Sequence, residues 1–314
     1  MLNNIKYIVI FGSDAYGSYL LEDNAGSTFK MLMEKGAYSL NSRSVVPIMS
    51  SVNWTSLLCG TAPNFHGRTQ WDSETGDAKS VYDYVNNKNV PSIFTLFKKQ
   101  TNLKTAAFFR WSQFQYILDV NSLDYWSNVM VKDVDSWKPT KKTIWISSND
   151  NIKPNQMIID DYCQYLIAKK PELSFVYVNE PDTVGHKIGH QTTEIKTMAL
   201  QVDLWVKQVL ETISHISEMK DNTLFVFIAD HGGKGQGDDC HGNFNDYEIK
   251  VPVFFYGAGV KNTGQFLEQT IQYDITATLA WLMELDSPDY WQGKVIYSPF
   301  INYQEYYEDV ISEC

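Results

Sequence analysis

Short, continuous apolar runs alternate with stretches of helical spacing from one end of this chain to the other. That alternation restricts the fold more than any other feature. The runs are Tyr7–Phe11, Thr105–Phe109, Thr143–Ile146, Phe175–Val178, Leu224–Ile228 and Val251–Tyr256. Unbroken apolar runs of this length suit strands buried on both faces, as in a parallel sheet covered by helices. The clearest helical stretch carries Met198, Val202, Trp205, Val209, Ile213 and Ile216, whose three- and four-residue steps build one apolar stripe. Thr192 or Thr193 with Glu194 marks its start, and Asp221-Asn222 its end. The alternation predicts a three-layer α/β/α sandwich around a central, mostly parallel, doubly wound sheet. A hydrophobic content of 44% over 314 residues is sufficient for one large core, and residues 1–314 read as a single domain. The least regular stretches, roughly 68–90 and 120–142, are rich in Asp, Asn, Ser and Trp. They read as surface loops or as a small lid formed by parts of 68–142.

In open parallel sheets, ligands bind beyond the carboxyl ends of the strands. Several carboxylates and imidazoles fall at such positions. Asp14 follows Tyr7–Phe11, Asp182 and His186 follow Phe175–Val178, and Asp230-His231 follows Leu224–Ile228, with His241 a short loop further on. An adjacent Asp and His at a strand end direct a hard oxygen and an imidazole nitrogen to one point, a donor set suited to a divalent metal. One Asp-His-Gly is equally well a polar turn. The repetition at successive strand ends is what favours a two-metal hydrolase.

Charge narrows the partners. Lys and Arg total 26 against 37 Asp and Glu, a net charge of −11 that disfavours non-specific binding to nucleic acid or an anionic membrane. An anionic substrate stays compatible, because bound dications set the sign of the local field. The aromatic content of 14% reads as core and pocket wall. No apolar run approaches the roughly 20 residues that span a bilayer. The N-terminus enters a strand at once, leaving no room for a signal peptide. Cys59, Cys163, Cys240 and Cys314 show no tight pairing. Together these features predict a reduced, cytoplasmic protein. Cys240, beside His241, has the chemistry of a soft ligand, but we read it as outside the ligand set.

Ser50 lies just before a segment of helical character ending at Gly60, followed by Pro63 and His66-Gly67. A hydroxyl at a helix N-terminus sits in a field that favours its alkoxide and phosphoryl oxygens bound to it. It equally suits a plain N-cap, and spacing alone favours the cap. The ordered set decides between them. Ser50, Asn53, Gly60, Pro63, His66 and Gly67 resemble the nucleophile motif of the alkaline phosphatase superfamily, in its type I phosphodiesterase and nucleotide pyrophosphatase branch. Gly12-Ser13-Asp14, Glu180 to His186 and Asp230-His231-Gly232 fall in the same order as in that branch. Similarity continues through Val251-Pro252, Gly257 to Val260, Tyr273-Asp274-Ile275, Pro288, Trp291 and Gly293. The resemblance thus covers nearly the whole chain as one alkaline-phosphatase-like catalytic domain.

The resemblance implies two divalent ions, zinc in the first instance. One would be held by Asp14, Asp230 and His231 with Ser50, the other by Asp182, His186 and His241. It implies Ser50 as the nucleophile, a phosphoserine intermediate and Asn53 as a donor to a phosphoryl oxygen. His66 reads as structural and His215 as a surface residue. His190, spaced evenly with Asp182 and His186, rivals His241 as a ligand, but we read it as pocket lining. The implied substrate is a small phosphate ester, with nucleotides as one class. Ser51 stands where nucleotide pyrophosphatases carry an aromatic that stacks on the base. No Arg neighbours Ser50, which weighs against a dedicated phosphomonoesterase, the alternative reading. A catalytically degenerate metal-binding protein would have lost the nucleophile or a ligand, and none is missing.

Overall fold

The computed structural model describes residues 4–69, 82–83, 88–131, 143–146, 152–237 and 240–301. Its strands are β1 (Tyr7–Ser13), β2 (Ala37–Arg43), β3 (Tyr82–Asp83), β4 (Lys88–Asn89), β5 (Thr105–Phe109), β6 (Tyr125–Val131), β7 (Thr143–Ile146), β8 (Leu173–Val178), β9 (Thr223–Ala229), β10 (Lys250–Gly257) and β11 (Gly264–Gln265). The helices of the first half are α1 (Tyr19–Asn24), α2 (Ser27–Lys35), α3 (Ser50–Cys59), α4 (Pro63–His66), α5 (Ile93–Gln100) and α6 (Phe114–Ile117). Those of the second half are α7 (Ile152–Lys169), α8 (Asp182–Ile188), α9 (Thr193–His215), α10 (Asp246–Ile249) and α11 (Gln272–Leu282).

The described strands form one sheet in the order β11-β2-β10-β9-β1-β8-β5-β6-β7, with β3 and β4 paired separately. Every pairing in the large sheet is parallel except those of β10, which runs antiparallel to both β9 and β2. Every residue of β1, β5, β8 and β9 is buried, as their unbroken apolar runs require. Alternate residues of β1 feed two separate cores. Tyr7, Val9 and Phe11 pack beneath α2, α7 and α9, whereas Ile8 and Ile10 pack on the side of α3, α5 and α11. The period-2 geometry of a strand therefore yields a three-layer sandwich.

The apolar runs mark β1, β5, β7, β8, β9 and β10 to within two residues at each end. They do not show β2 or β6. Along β2 (AYSLNSR) polar residues interrupt the apolar ones, with Ser39 and Ser42 at buried positions and Asn41 and Arg43 exposed, so no run forms. In β6, Ser127 and Asn128 interrupt the run although both are buried. The loop expected over 120–142 is corrected accordingly, since Tyr125–Val131 lies within the main sheet. Within the range 68–142, parts of which are expected to form a lid, residues 70–81, 84–87 and 132–142 fall outside the described residues. Helix α9 begins after Thr192, whose side chain caps Ile195 N, and it stops at His215, six residues before the expected Asp221. None of the described helices is long and apolar enough to cross a membrane.

Candidate active site

Strands β8, β1 and β9 lie side by side and in step, with Ser13 level with both Val178 and Ala229. The residues that follow them are therefore gathered at one edge of the sheet. Asp14 leaves β1, Asp182 opens α8 after β8, and Asp230-His231 leaves β9. Ser50 arrives from another direction, as the first residue of α3. Its Oγ lies 3.4 Å from Asp14 Oδ1 and 3.1 Å from His231 Nε2. His231 Nε2 is 3.3 Å from Asp230 Oδ2 and 3.7 Å from Asp14 Oδ1. Asp14, Asp230 and His231 are thus positioned to hold one cation, with the Ser50 oxygen at its edge.

A second group adjoins the first. His186 Nε2 lies 3.4 Å from Asp182 Oδ2 and 3.2 Å from His241 Nε2. His241 Nε2 is 3.8 Å from Asp182 Oδ1, and its ring is tilted 31° over that of His231 at 4.3 Å between centroids. Six of the seven residues assigned to the metals from sequence, joined by Cys240, fall in three overlapping groups, the ligand atoms of each lying within 4.8 Å of one another: Asp14, Asp230 and His231, then Asp182, His231 and His241, then His186, Cys240 and His241.

Surrounding groups fix the ligands. Asp14 Oδ2 accepts from Trp54 Nε1 at 3.3 Å and from the Tyr177 hydroxyl. The Ala15 N–H, on a left-handed residue with φ of 54°, donates to Asp230 Oδ1 at 3.0 Å. Gln272 Nε2 donates to the carbonyls of Ala229 and Asp230, holding the end of β9. Trp54 could be found from sequence, because it follows Ser50 by four residues and so shares its helical face. Tyr177 is hidden in the apolar run of β8, and Gln272 is distant in sequence, so nothing local marks either one.

Electrostatics show what this donor set lacks. Burial pushes the carboxyls of Asp182 and Asp230 well above the ordinary range, and the neighbouring Asp14 charge pushes them further. Asp182 Oδ1 and Asp230 Oδ2 have no hydrogen-bond partner among the described residues. Carboxylates crowded in this way are stable as anions only beside positive charge. Burial also lowers the ring of His241 to about 2, so its imidazole is neutral and able to bind through a lone pair. Buried oxygens without partners and neutral imidazole nitrogens fit divalent cations, zinc in particular.

The structure gives Asn53 contacts other than the one expected of it. Asn53 is fully buried, with its Oδ1 accepting from Val45 N at 2.7 Å. Its Nδ2 donates to the carbonyls of Pro47 and Met49, both at 3.1 Å. Both amide protons are used, so Asn53 braces the segment leading to Ser50 and has none left for a phosphoryl oxygen. His190 is absent from the ligand groups among the described residues. Its buried ring is wedged against Gly185 and Gly233, where an added Cβ would lie 2.0 Å and 2.4 Å from it. Both motif glycines are thereby explained as close approaches, since any side chain would displace this ring. His66 accepts from Arg68 N and pairs with Ser56 Oγ at 2.8 Å, bracing the loop behind α3. His215 is exposed.

Comparison with known proteins agrees with this geometry. The sequence profile of the type I phosphodiesterase / nucleotide pyrophosphatase family matches residues 8–260. Venom phosphodiesterase from Naja atra is 22% identical over 255 residues, which cover 79% of this chain and 29% of that protein. GPI ethanolamine phosphate transferase 1 from Gibberella zeae is 28% identical over 142 residues, covering 45% of this chain and 12% of that protein. The chain spans less than a third of the length of these curated relatives. Among solved structures, murine ectonucleotide pyrophosphatase / phosphodiesterase 5, as an inactive variant in complex with AMP, superposes with a TM-score of 0.69 at 12% identity. That match covers 94% of this chain and 98% of the other. A 2-O GAG sulfatase superposes with a TM-score of 0.72 at 15% identity, over 93% of this chain and 73% of that one. At such identities the structural matches establish the fold.

Proposed function

The chain belongs to the type I phosphodiesterase / nucleotide pyrophosphatase family, and from that membership we propose that it is a two-metal phosphoric ester hydrolase acting through Ser50. One observation carries the reading. Ser50, Asp14, Asp230 and His231 meet Asp182, His186 and His241 at the carboxyl ends of three adjacent strands. Asp14, Asp230 and His231 would hold one ion together with the Ser50 oxygen, and Asp182, His186 and His241 the other. When bound, two such ions favour the serine alkoxide and neutralise charge on the attacking and leaving oxygens of an in-line displacement.

The protein's own residues perform the rest. Ser50 Oγ attacks phosphorus, forming a phosphoserine as the bond to the leaving oxygen breaks, and water then cleaves the new ester. Backbone N–H groups at a helix N-terminus favour a phosphoryl anion, and the start of α3 would supply them beside Ser50. Asn53, Trp54 and Tyr177 hold the nucleophile and Asp14 in register, which limits the reorganisation needed at reaction.

The substrate is a small phosphate ester, and a diester suits the site better than a monoester. A dianionic phosphoryl group calls for an extra cation beside the nucleophile. The Arg68 charge acts on His66 and on Cys59, which is the last residue of the ten-residue helix that Ser50 begins. No Arg is adjacent to Ser50 in the sequence. Arg110, at the end of β5, donates to Asn179 at 2.7 Å. Metal analysis combined with rates on bis-p-nitrophenyl phosphate, p-nitrophenyl phosphate and a dinucleoside polyphosphate tests the proposal. We expect two zinc ions per chain and higher catalytic efficiency on the diesters. Full activity in a chelator would refute the metal reading. A tenfold preference for the monoester, about 1.4 kcal/mol, would favour a phosphomonoesterase.

A further inference from the structure

The three histidines of the site share one arrangement, and in two of them its cause is plain. A neutral imidazole has one N–H and one lone pair, so whatever faces Nδ1 decides whether Nε2 can bind an ion. His231 Nδ1 lies 2.8 Å from the Gly232 carbonyl, and its Nε2 faces Ser50 and Asp230. His241 Nδ1 lies 3.1 Å from the Ile48 carbonyl, and its Nε2 faces His186 and Asp182. A carbonyl oxygen only accepts, so in both rings the proton sits on Nδ1 and the lone pair of Nε2 points into the site. His186 directs its Nε2 inward in the same way, but among the described residues no carbonyl is hydrogen-bonded to its Nδ1. Its Nδ1 faces the sulfur of Cys240 at 3.4 Å.

We infer that Cys240 is a positioning residue for the second metal, with its Sγ accepting the Nδ1–H of His186 and so presenting Nε2 to the ion. The inference rests on the two-metal reading of the site. Cys240 Sγ lies within 4.8 Å of ligand nitrogens of both His186 and His241, so direct ligation is the competing arrangement. The two nitrogens of an imidazole point away from each other, and a sulfur on the Nδ1 side of His186 stands behind that ring relative to an ion at its Nε2. The sulfur is fully buried and held by its own backbone. Cys240 N donates to the Gly237 carbonyl at 3.2 Å, and the Cys240 carbonyl accepts from Lys234 N at 2.7 Å. Cys240 and His241 thus serve one metal from adjacent positions, the first orienting His186 and the second contributing its own nitrogen. Groups that orient ligating histidines typically change metal affinity by about 10–100-fold when removed.

The test compares the full chain with its C240A and C240S variants by three readouts. Zinc affinities come from competition with a chromogenic chelator. C240A should weaken one of the two sites by about 10–100-fold and leave the other unchanged, while C240S, which keeps an acceptor, should remain within about threefold of the parent. Thermal unfolding in chelator should be alike for all three, which separates positioning from packing. Long-range proton–nitrogen NMR of the metal-free protein should find His186 protonated on Nδ1, with that preference lost in C240A.

Parent-like zinc affinity at both sites in C240A would overturn the inference, as would a His186 proton on Nε2 in the metal-free parent. In the cobalt-loaded protein, a sulfur-to-cobalt charge-transfer band abolished by C240A would overturn it too, by making Cys240 a ligand. If the parent itself takes up no second ion, the proposed function fails, and the NMR result still judges the role of Cys240.

Discussion

Asp14, Asp182 and Asp230 approach one another closely enough that burial and mutual repulsion keep the latter two carboxyls above their ordinary range. Glu180, beside Asp182 in sequence, is a third such group. Burial pushes its carboxyl up from 4.5 to about 8, against the opposing pull of Arg110. A carboxyl raised in the folded state contributes stability that is fully present below its unfolded value and lost as pH rises through the folded one. Between about 4.5 and about 8, Glu180 therefore becomes a progressively greater burden on the fold. Glu180→Gln should be close to neutral at pH 5 and stabilising at pH 9 by roughly 1–3 kcal/mol, as measured by urea unfolding. An equal effect at both pH values would contradict this. For Ser50, alanine substitution should abolish turnover yet leave both metals bound, because Asp and His supply most of the affinity and only one oxygen forms the covalent bond. Turnover by Ser50→Ala with retention of activity above a few per cent of the parent would exclude it as the nucleophile. Ser51→Ala should be mild, and the reverse pattern would shift the nucleophile by one residue.

At the scale of the element, helices of one layer rely on one another for capping. Helix α2 begins after Gly26, which has no side chain to receive the first N–H groups. Asp203, buried in the middle of α9, supplies the missing acceptors. Its carboxylate takes Phe29 N at 2.8 Å and Thr28 N at 3.2 Å. Gly26 is needed for that approach, since a Cβ there would lie 2.2 Å from the Asp203 carboxyl carbon. A buried polar residue on the apolar stripe of α9 is thus explained by the neighbouring helix. Asp203→Ala should cost about 1–2 kcal/mol in urea unfolding, with Asn at the same position recovering part of it. An unchanged midpoint would show that water replaces the carboxylate. The same kind of dependence governs α3, whose first residue is set by Asn53 holding the 45–49 segment rather than by a side-chain cap.

For the whole molecule, the crowded carboxylates should make stability depend on bound cations, if the proposed metals bind there. In the metal-free protein the raised carboxyls of Asp182 and Asp230 favour the fold at acid pH and oppose it as pH rises. Dications reverse that sign, because they bind the ionised form. The chelated protein should therefore melt at a lower temperature at pH 8 than at pH 5. Zinc at a hundred times its dissociation constant should add about 2.7 kcal/mol per independent site at neutral pH. A melting temperature indifferent to zinc would argue that the cluster holds no ion.

The sequence by itself determined the layers of the sandwich, because an unbroken apolar run can be buried only between two covered faces. Hence β1, β5, β8 and β9 were legible, while β2 and β6, with polar residues in their runs, were not. It also determined the identity of the ligand candidates, since Asp14, Asp182 and Asp230-His231 stand directly after strands and a strand end must face the edge of the sheet. The tertiary structure alone decided what supports them. The resemblance implies Asn53 as a donor to substrate, whereas its contacts to the carbonyls of Pro47 and Met49 are visible only in the folded chain. Tyr177 and Gln272 carry no local mark of their part in the site. Their partners are Asp14 and the 229–230 carbonyls, each brought near by strand register or loop closure over many residues. A hydrogen bond acts over about 3 Å, so its partners are fixed only once the whole sheet is in place.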